Sequence, residues 1–312
     1  MAEIHVRPAL LDDTQAISSL FRSRIPVWQR MDTIGEVQDV AYEQLTIYER
    51  WLHGGPWMSV ETGALHLSHL LRGAGFPLVA IHEDKLAGYT EAFHSVEPAP
   101  FGNHLHLTSL VSNDPAVCKA LAQHILKQAA VVDVQRVTAS IIAHDDESVE
   151  FYRAFGMQPL TRIHRINLPA KTGQVFYKSV EHPNANPAQV HGWHMSLGRW
   201  ECARQHWETL WPRTWAAIPE IQRRPTNRLY VTAAGQEAYV LIHQQLYAPR
   251  SAEVYCWTPK PLPGQVLTAI RDWGHREGYR TLVLAVTDAT LKALGAEAEP
   301  DGYYQDIYAI DG

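Results

Sequence analysis

The sequence predicts an α+β protein built from two consecutive units, each a mixed, twisted sheet flanked by helices. Three observations carry this expectation. The chain has 312 residues, long for one compact domain and comfortable for two. Elements within residues 3–168 follow the order β-α-α-(α)-β-β-β-α-β-α-β. After a Pro- and Asn-rich stretch, HPNANPAQ (182–189), a shorter copy of the same order begins. The copies share little sequence, so the duplication rests on element order. It places one domain at 1–175 and the other at 176–312.

The elements follow in chain order. IHVRPA (4–9) alternates as a strand, and Asp12 or Asp13 can cap the helix that Ile17, Leu20 and Phe21 make amphipathic. Residues 37–52 carry a second helical pattern, broken by HGGP (53–56), and 61–72 a third. LVAIHEDKLAGYTEAFHSVEP (78–98) reads as a hairpin turning at Glu83-Asp84-Lys85 and stopped by Pro98 and Pro100. HLHLTSLV (104–111) is a third strand. Asn113-Asp114-Pro115 then starts a helix whose apolar face is Val117, Leu121, Ile125, Ala129 and Val132. RVTASIIA (136–143) is a strand, 147–155 a helix closed by Gly156, and 157–168 a strand.

In the second copy a helix is expected from about Trp200 to Trp215, with Trp207 and Trp211 on one stripe. A hairpin follows at 228–247, a strand at 251–258, a helix near 264–277 and a strand at 281–287. DATLKALGA forms a last helix and YYQDIYAI (303–310) a last strand.

Composition narrows the function classes. Apolar residues are 46% and charged residues 19%, enough for a core in each unit. The net charge of −6 and the lack of any basic run argue against nucleic acid or an anionic membrane as partner, since both need clustered Lys and Arg. No segment approaches the roughly 18 apolar residues of a membrane span. MAEIHVRPAL lacks the apolar stretch of a signal peptide. Cys118, Cys202 and Cys256 are far apart and form no CxxC, so the expected setting is cytoplasmic with reduced thiols. A homodimer is compatible with the chain.

Several residues could move protons. Glu91 lies on the second hairpin strand. His104, His106 and Thr108 share one face of the next strand, because strand side chains alternate. A histidine of near-neutral pKa suits a general base; the alternative is that these groups satisfy one another. The 17 histidines include the pairs His104/His106, His66/His69 and His191/His194. With no HExxH and no CxxC, no metal site is expected.

Two stretches carry a family resemblance. LVAIHEDKLAGYTEAF is similar to the Gly-containing hairpin of the GNAT superfamily of N-acetyltransferases. HDDESVEFYRAFGM (144–157) resembles that family's strand-loop-helix ending in Tyr-x-x-x-Gly-Phe. The resemblance covers residues 3–168, and 193–310 more weakly. It implies two tandem GNAT-type folds, with acetyl-CoA as cosubstrate. Tyr152 falls where many members keep a tyrosine beside the CoA sulfur, and Asp145 where an asparagine is usual. The backbone of Leu110 and Val111 would pair with the pantetheine arm, and the amides of Ala116 and Val117 would face the pyrophosphate at a helix N-terminus.

The chain departs from the family's glycine-rich phosphate loop. Asn113 stands at the basic position and Ala116 and Cys118 at the glycine positions. Asp114 adds a negative charge and Pro115 lacks an N–H. Weak acetyl-CoA binding is therefore expected. In the second copy, Pro261 and Pro263 lie near the glycine positions, and Leu291 stands where Tyr152 stands in the first. That copy is expected to be non-catalytic. The function expected is acetyl transfer to a small-molecule amine, with Tyr152 as acid and Glu91 or His106 as base. The alternative is a catalytically inactive GNAT-fold module that binds a small molecule or a protein.

Overall fold

The computed structural model describes residues 3–32 and 35–312. The first copy runs β1 (His5–Pro8), α1 (Thr14–Arg22), a small hairpin of β2 (Gln29–Met31) and β3 (Val37–Asp39), α2 (Ile47–Trp51) and α3 (Val60–Leu70). It continues with β4 (Gly75–His82), β5 (Lys85–Val96), β6 (Asn103–Ser112), α4 (Pro115–Val131), β7 (Arg136–Ile142), α5 (Asp146–Ala154) and β8 (Gln158–Pro169). The second copy runs β9 (Tyr177–Glu181), β10 (His194–Leu197), α6 (Ala203–Leu210), β11 (Thr226–Ala233), β12 (Gln236–Gln244), β13 (Ser251–Thr258), α7 (Gly264–Arg276), β14 (Thr281–Thr287), α8 (Asp288–Leu294) and β15 (Glu299–Asp311). This is the mixed-sheet α+β architecture read from the sequence.

The helix expected over 37–52 is the main correction. Val37–Asp39 pairs antiparallel with Gln29–Met31 instead. The helix starts only at Ile47, where a capping box decides its position. Thr46 accepts the Glu49 N–H through its hydroxyl, and Glu49 accepts the Thr46 N–H. The helix expected over 200–215 is likewise confined to Ala203–Leu210. Strands β2, β3, β9 and β10 were not anticipated. The Glu83-Asp84 turn is as expected, with both residues at positive φ, which suits a two-residue hairpin.

The chain forms two compact units. The first comprises residues up to 92, 107–131 and 214–223. Its strands lie in the order β1-β4-β5-β6, with β1 antiparallel to β4. Ile17, Trp57, Met58, Leu67, Val79 and Tyr89 form one core under α1 and α3. Helix α4 packs so tightly on β5 that a Cβ at Gly88 would lie 2.5 Å from the Val117 side chain. That contact is the physical reason for glycine in the hairpin.

The second unit comprises residues 93–106, 132–213 and 224–312. After the last residues of β5 and the first of β6, its strand order is β7-β15-β8-β14-β13-β12-β11-β9, with β10 beside β13. The closing strands are exchanged between the copies. β8 of the first copy pairs with β14, and β15 of the second pairs with β7 and β8. One core lies between the sheet and α7, through Leu168, Val240, Val254, Ile270 and Leu284. A second is aromatic. Trp207 and Trp211, one helical turn apart, stack with centroids 4.2 Å apart and meet Trp257 and Tyr239 edge-on.

Candidate active site

Glu91 of β5 is buried in the first unit and fully engaged. Its Oε2 meets His66 Nε2 of α3 at 3.1 Å and accepts the Tyr89 hydroxyl at 3.1 Å. Its Oε1 accepts the hydroxyl of Ser109 of β6 at 3.1 Å. Burial pushes the Glu91 carboxyl up. The His66 charge and the hydrogen bonds from His66, Ser109 and Tyr89 outweigh it, leaving Glu91 below its usual range. Tyr89, by contrast, is driven well above its ordinary value by burial and by the Glu91 charge. Ser109 is half-buried and precedes Leu110 and Val111 at the end of β6, where Leu110 is half-buried and Val111 buried.

The start of α4 differs from a phosphate cradle. The Ala116 N–H donates to the carboxylate of Asp114 at 2.8 Å, and the Val117 and Cys118 N–H groups reach the Asp114 carbonyl. Ser112 Oγ accepts the Asp114 N–H at 3.0 Å. The chain therefore places its own carboxylate at the positive end of the helix, where an anion is otherwise stabilised.

In the second unit, Asp145 caps α5 by accepting the Ser148 N–H at 3.1 Å. Tyr152 is half-buried, with its ring edge-on to Phe151. The helix ends in a Schellman motif. Gly156, at φ +83°, donates to the Arg153 carbonyl, and Met157 donates to the Tyr152 carbonyl.

His106 is buried and held at both nitrogens, by Thr138 Oγ1 at 2.7 Å and by a Glu201 carboxylate oxygen at 2.5 Å. Neighbouring His104 and His206 are pushed down to about 3 by burial and stay neutral near pH 7. His206 Nε2 accepts the N–H groups of Trp200 and Glu201. Glu97 pairs with buried Arg199, whose guanidinium lies over Phe101. Among the described residues, no three His, Cys, Asp or Glu side chains are placed to hold a metal ion.

No family model matches the chain, and no curated protein sequence does. Solved structures do. A tandem GNAT protein from the clavulanic acid biosynthesis pathway, determined without AcCoA, is 13% identical. The match covers 99% of this chain and 98% of that one, with a TM-score of 0.50. A GCN5-related N-acetyltransferase from Anabaena variabilis gives a TM-score of 0.59 at 11% identity, covering 98% and 72% of the two chains. One from Kribbella flavida gives 0.55 at 11% identity, covering 99% and 71%. This chain has the tandem GNAT fold.

Within the second GNAT copy, β13 and β14 pair in parallel only from Ser251↔Thr281 to Glu253↔Val283. Beyond that point the strands part, and β10 fills the gap. Met195 and Leu197 pair with Trp257 and Cys256, and the Gly198 N–H donates to the Ala285 carbonyl at 2.9 Å. Gly198 has φ +82°, and a Cβ there would lie 2.7 Å from the Val254 carbonyl oxygen and 2.8 Å from Tyr255 Cα. The fork of this copy is thus closed by its own backbone.

The structure brings Glu91 together with Ser109, which sequence reading missed, and with His66 and Tyr89. The Tyr89-x-Glu91 spacing puts both side chains on one strand face. Ser109 and His66 join them only through the β5–β6 pairing and the α3 packing. Partners Thr138 and Glu201 of His106 lie 32 and 95 residues away in sequence.

Proposed function

We propose that this chain transfers an acyl group, acetyl in the simplest case, from coenzyme A to the amine of a small molecule, with the chemistry in the first GNAT copy. The observation that supports this most is the Glu91 carboxylate, kept ionised by His66 and joined by a hydrogen bond to the half-buried Ser109 hydroxyl. Acetyl-CoA supplies an acyl group activated as a thioester. Ser109 relays the proton of the attacking ammonium to Glu91 as the new C–N bond forms. The backbone of Leu110 and Val111 pairs with the pantetheine arm. The Tyr152 phenol gives its proton to the departing sulfur as the C–S bond breaks. His106, held by Thr138 and Glu201, remains the alternative base.

The phosphate end fits less well. A pyrophosphate approaching α4 meets the Asp114 carboxylate already on the Ala116 N–H. This favours a second reading, a GNAT-fold module that binds a ligand or partner without transfer. Calorimetry with acetyl-CoA and CoA separates the two. The native chain should bind in the millimolar range. Asp114→Gly, which removes the charge yet keeps a good cap residue, should bind at least about tenfold tighter. Tyr152→Phe should leave binding intact and slow acetylation of an amine by at least about tenfold. Absence of heat for both the native chain and Asp114→Gly would end the acyltransferase reading in favour of the module.

A further inference from the structure

We infer that the second GNAT copy carries a non-reacting binding site for a small primary ammonium compound with an aromatic body, in the cavity bounded by β8, β13, β14, β15 and the segment after β10. This cavity has a volume of about 310 Å³, at the small end of the range that ligand sites occupy. It lies within one compact unit and uses none of the residues assigned to acyl transfer.

The chemistry of its walls selects the ligand. Glu253 lines the cavity and accepts only the Tyr255 hydroxyl, at 3.2 Å. Among the described residues, no ion pair involves it. His243, its cross-strand neighbour on β12, is pushed by burial down to about 4 and so offers no positive charge near neutral pH. Arg165, the cation in the wall, pairs with Asp301 and lies over the Tyr303 ring, 4.8 Å from its centroid. Behind this wall the Arg224 charge acts on both Tyr255 and His243, so the preference for a cation rests on direct contact with the Glu253 carboxylate.

A second, independent observation points the same way. Gln305 lines the cavity at 9% exposure. Its amide N–H donates to the Tyr303 hydroxyl at 3.1 Å, while its buried Oε1 has no hydrogen-bond partner. Buried acceptors without partners are rare and costly, so a donor from a ligand is the natural complement. Trp200 and Tyr303, edge-on with centroids 5.3 Å apart, supply aromatic wall. Glu253 and Gln305 accept from an ammonium group, and the Trp200 ring covers an apolar body. Because β10 fills the fork beside this cavity, a ligand here meets no thioester.

Tyramine is a suitable probe. 4-Ethylphenol is its neutral counterpart and 3-(4-hydroxyphenyl)propionate its anionic one. Calorimetry on the full chain without acyl donor should show tyramine binding, with both controls weaker by at least about tenfold. Glu253→Gln should weaken tyramine by at least about tenfold and Gln305→Met by a smaller factor. If Glu253→Gln does not fold, Val283→Phe narrows the cavity and should produce the same loss. Glu91→Gln should leave this binding unchanged. Equal affinity for tyramine and 4-ethylphenol overturns the proposal. So does tyramine binding that survives the cavity variants, or that is lost in Glu91→Gln alone, which would place it in the first copy. Since no thioester is present, failure of the transfer reading leaves this result standing.

Discussion

The two GNAT-fold copies differ in what fills the places where the proposed donor would lie. In the first, the obstacle is a charge: Asp114 occupies the positive end of α4 through the Ala116 N–H. In the second, it is volume: β10 pairs along β13 and reaches β14 through Gly198, filling the fork where those strands part. The start of α7, by contrast, has Pro263 as its cap residue and no side-chain acceptor on its amides. A charge obstacle can be removed by one substitution that leaves the backbone alone. A strand threaded into a fork cannot be removed without dismantling the sheet. The first copy therefore departs from an open helix start by one charge, and the second from an open fork by a strand of backbone.

Substitutions can break or sharpen this contrast. The largest effect is expected at Gly198, where a side chain meets backbone atoms under 3 Å away at a positive φ. Gly198→Ala should cost at least about 3 kcal/mol in urea unfolding. A loss under about 1 kcal/mol would show that β10 does not fill the fork tightly.

Next comes the pH dependence of the second unit. His104 and His206 are held at about 3 in the fold against 6.5 for the free side chain. Below pH 6.5 the unfolded chain binds protons that the folded chain refuses, so stability is fully present above 6.5 and declines as pH falls towards 3. The two together should remove up to about 3 kcal/mol per pH unit in the steep part of that window. His104→Phe should flatten the slope by about half; an unchanged slope would assign the acid sensitivity to other groups.

In the first copy, Gly88→Ala drives a Cβ into Val117. It should cost about 1–3 kcal/mol, a smaller loss than at Gly198 because a side chain yields more readily than backbone. The smallest effect is that of Asp114→Gly on stability, a few tenths of a kcal/mol, since glycine is a tolerable cap. A loss above about 1.5 kcal/mol there would make Asp114 a structural residue first.

Much of this contrast was legible in the chain, and the limits are physical. Asp114 and Pro115 announced the altered phosphate loop because a helix start is written in adjacent residues. The Tyr152-to-Gly156 helix end was readable for the same reason. Strand β10 was not, because HMSL is four residues flanked by tryptophans and glycines, and its place depends on the distant β13 and β14. The helix expected over 37–52 failed because apolar spacing fits a helix there, while pairing with Gln29–Met31 decides the outcome. The Glu91 network was half readable: the carboxylate was identified, and its partners come from packing. The exchange of β8 and β15 left no local trace.

That exchange sets an order of events during synthesis. Strand β7 finds the partner on one of its two edges only in β15, where Ile142 meets Gln305. About 160 residues separate them, so at ordinary translation speeds β7 waits on the order of ten seconds for its partner. During that interval the nascent chain exposes a strand edge with unpaired amides and carbonyls, rich in β-branched side chains, to every other nascent chain nearby. Coverage of that edge waits for β15. A chain halted before β15 keeps that edge open and is an aggregation-prone product.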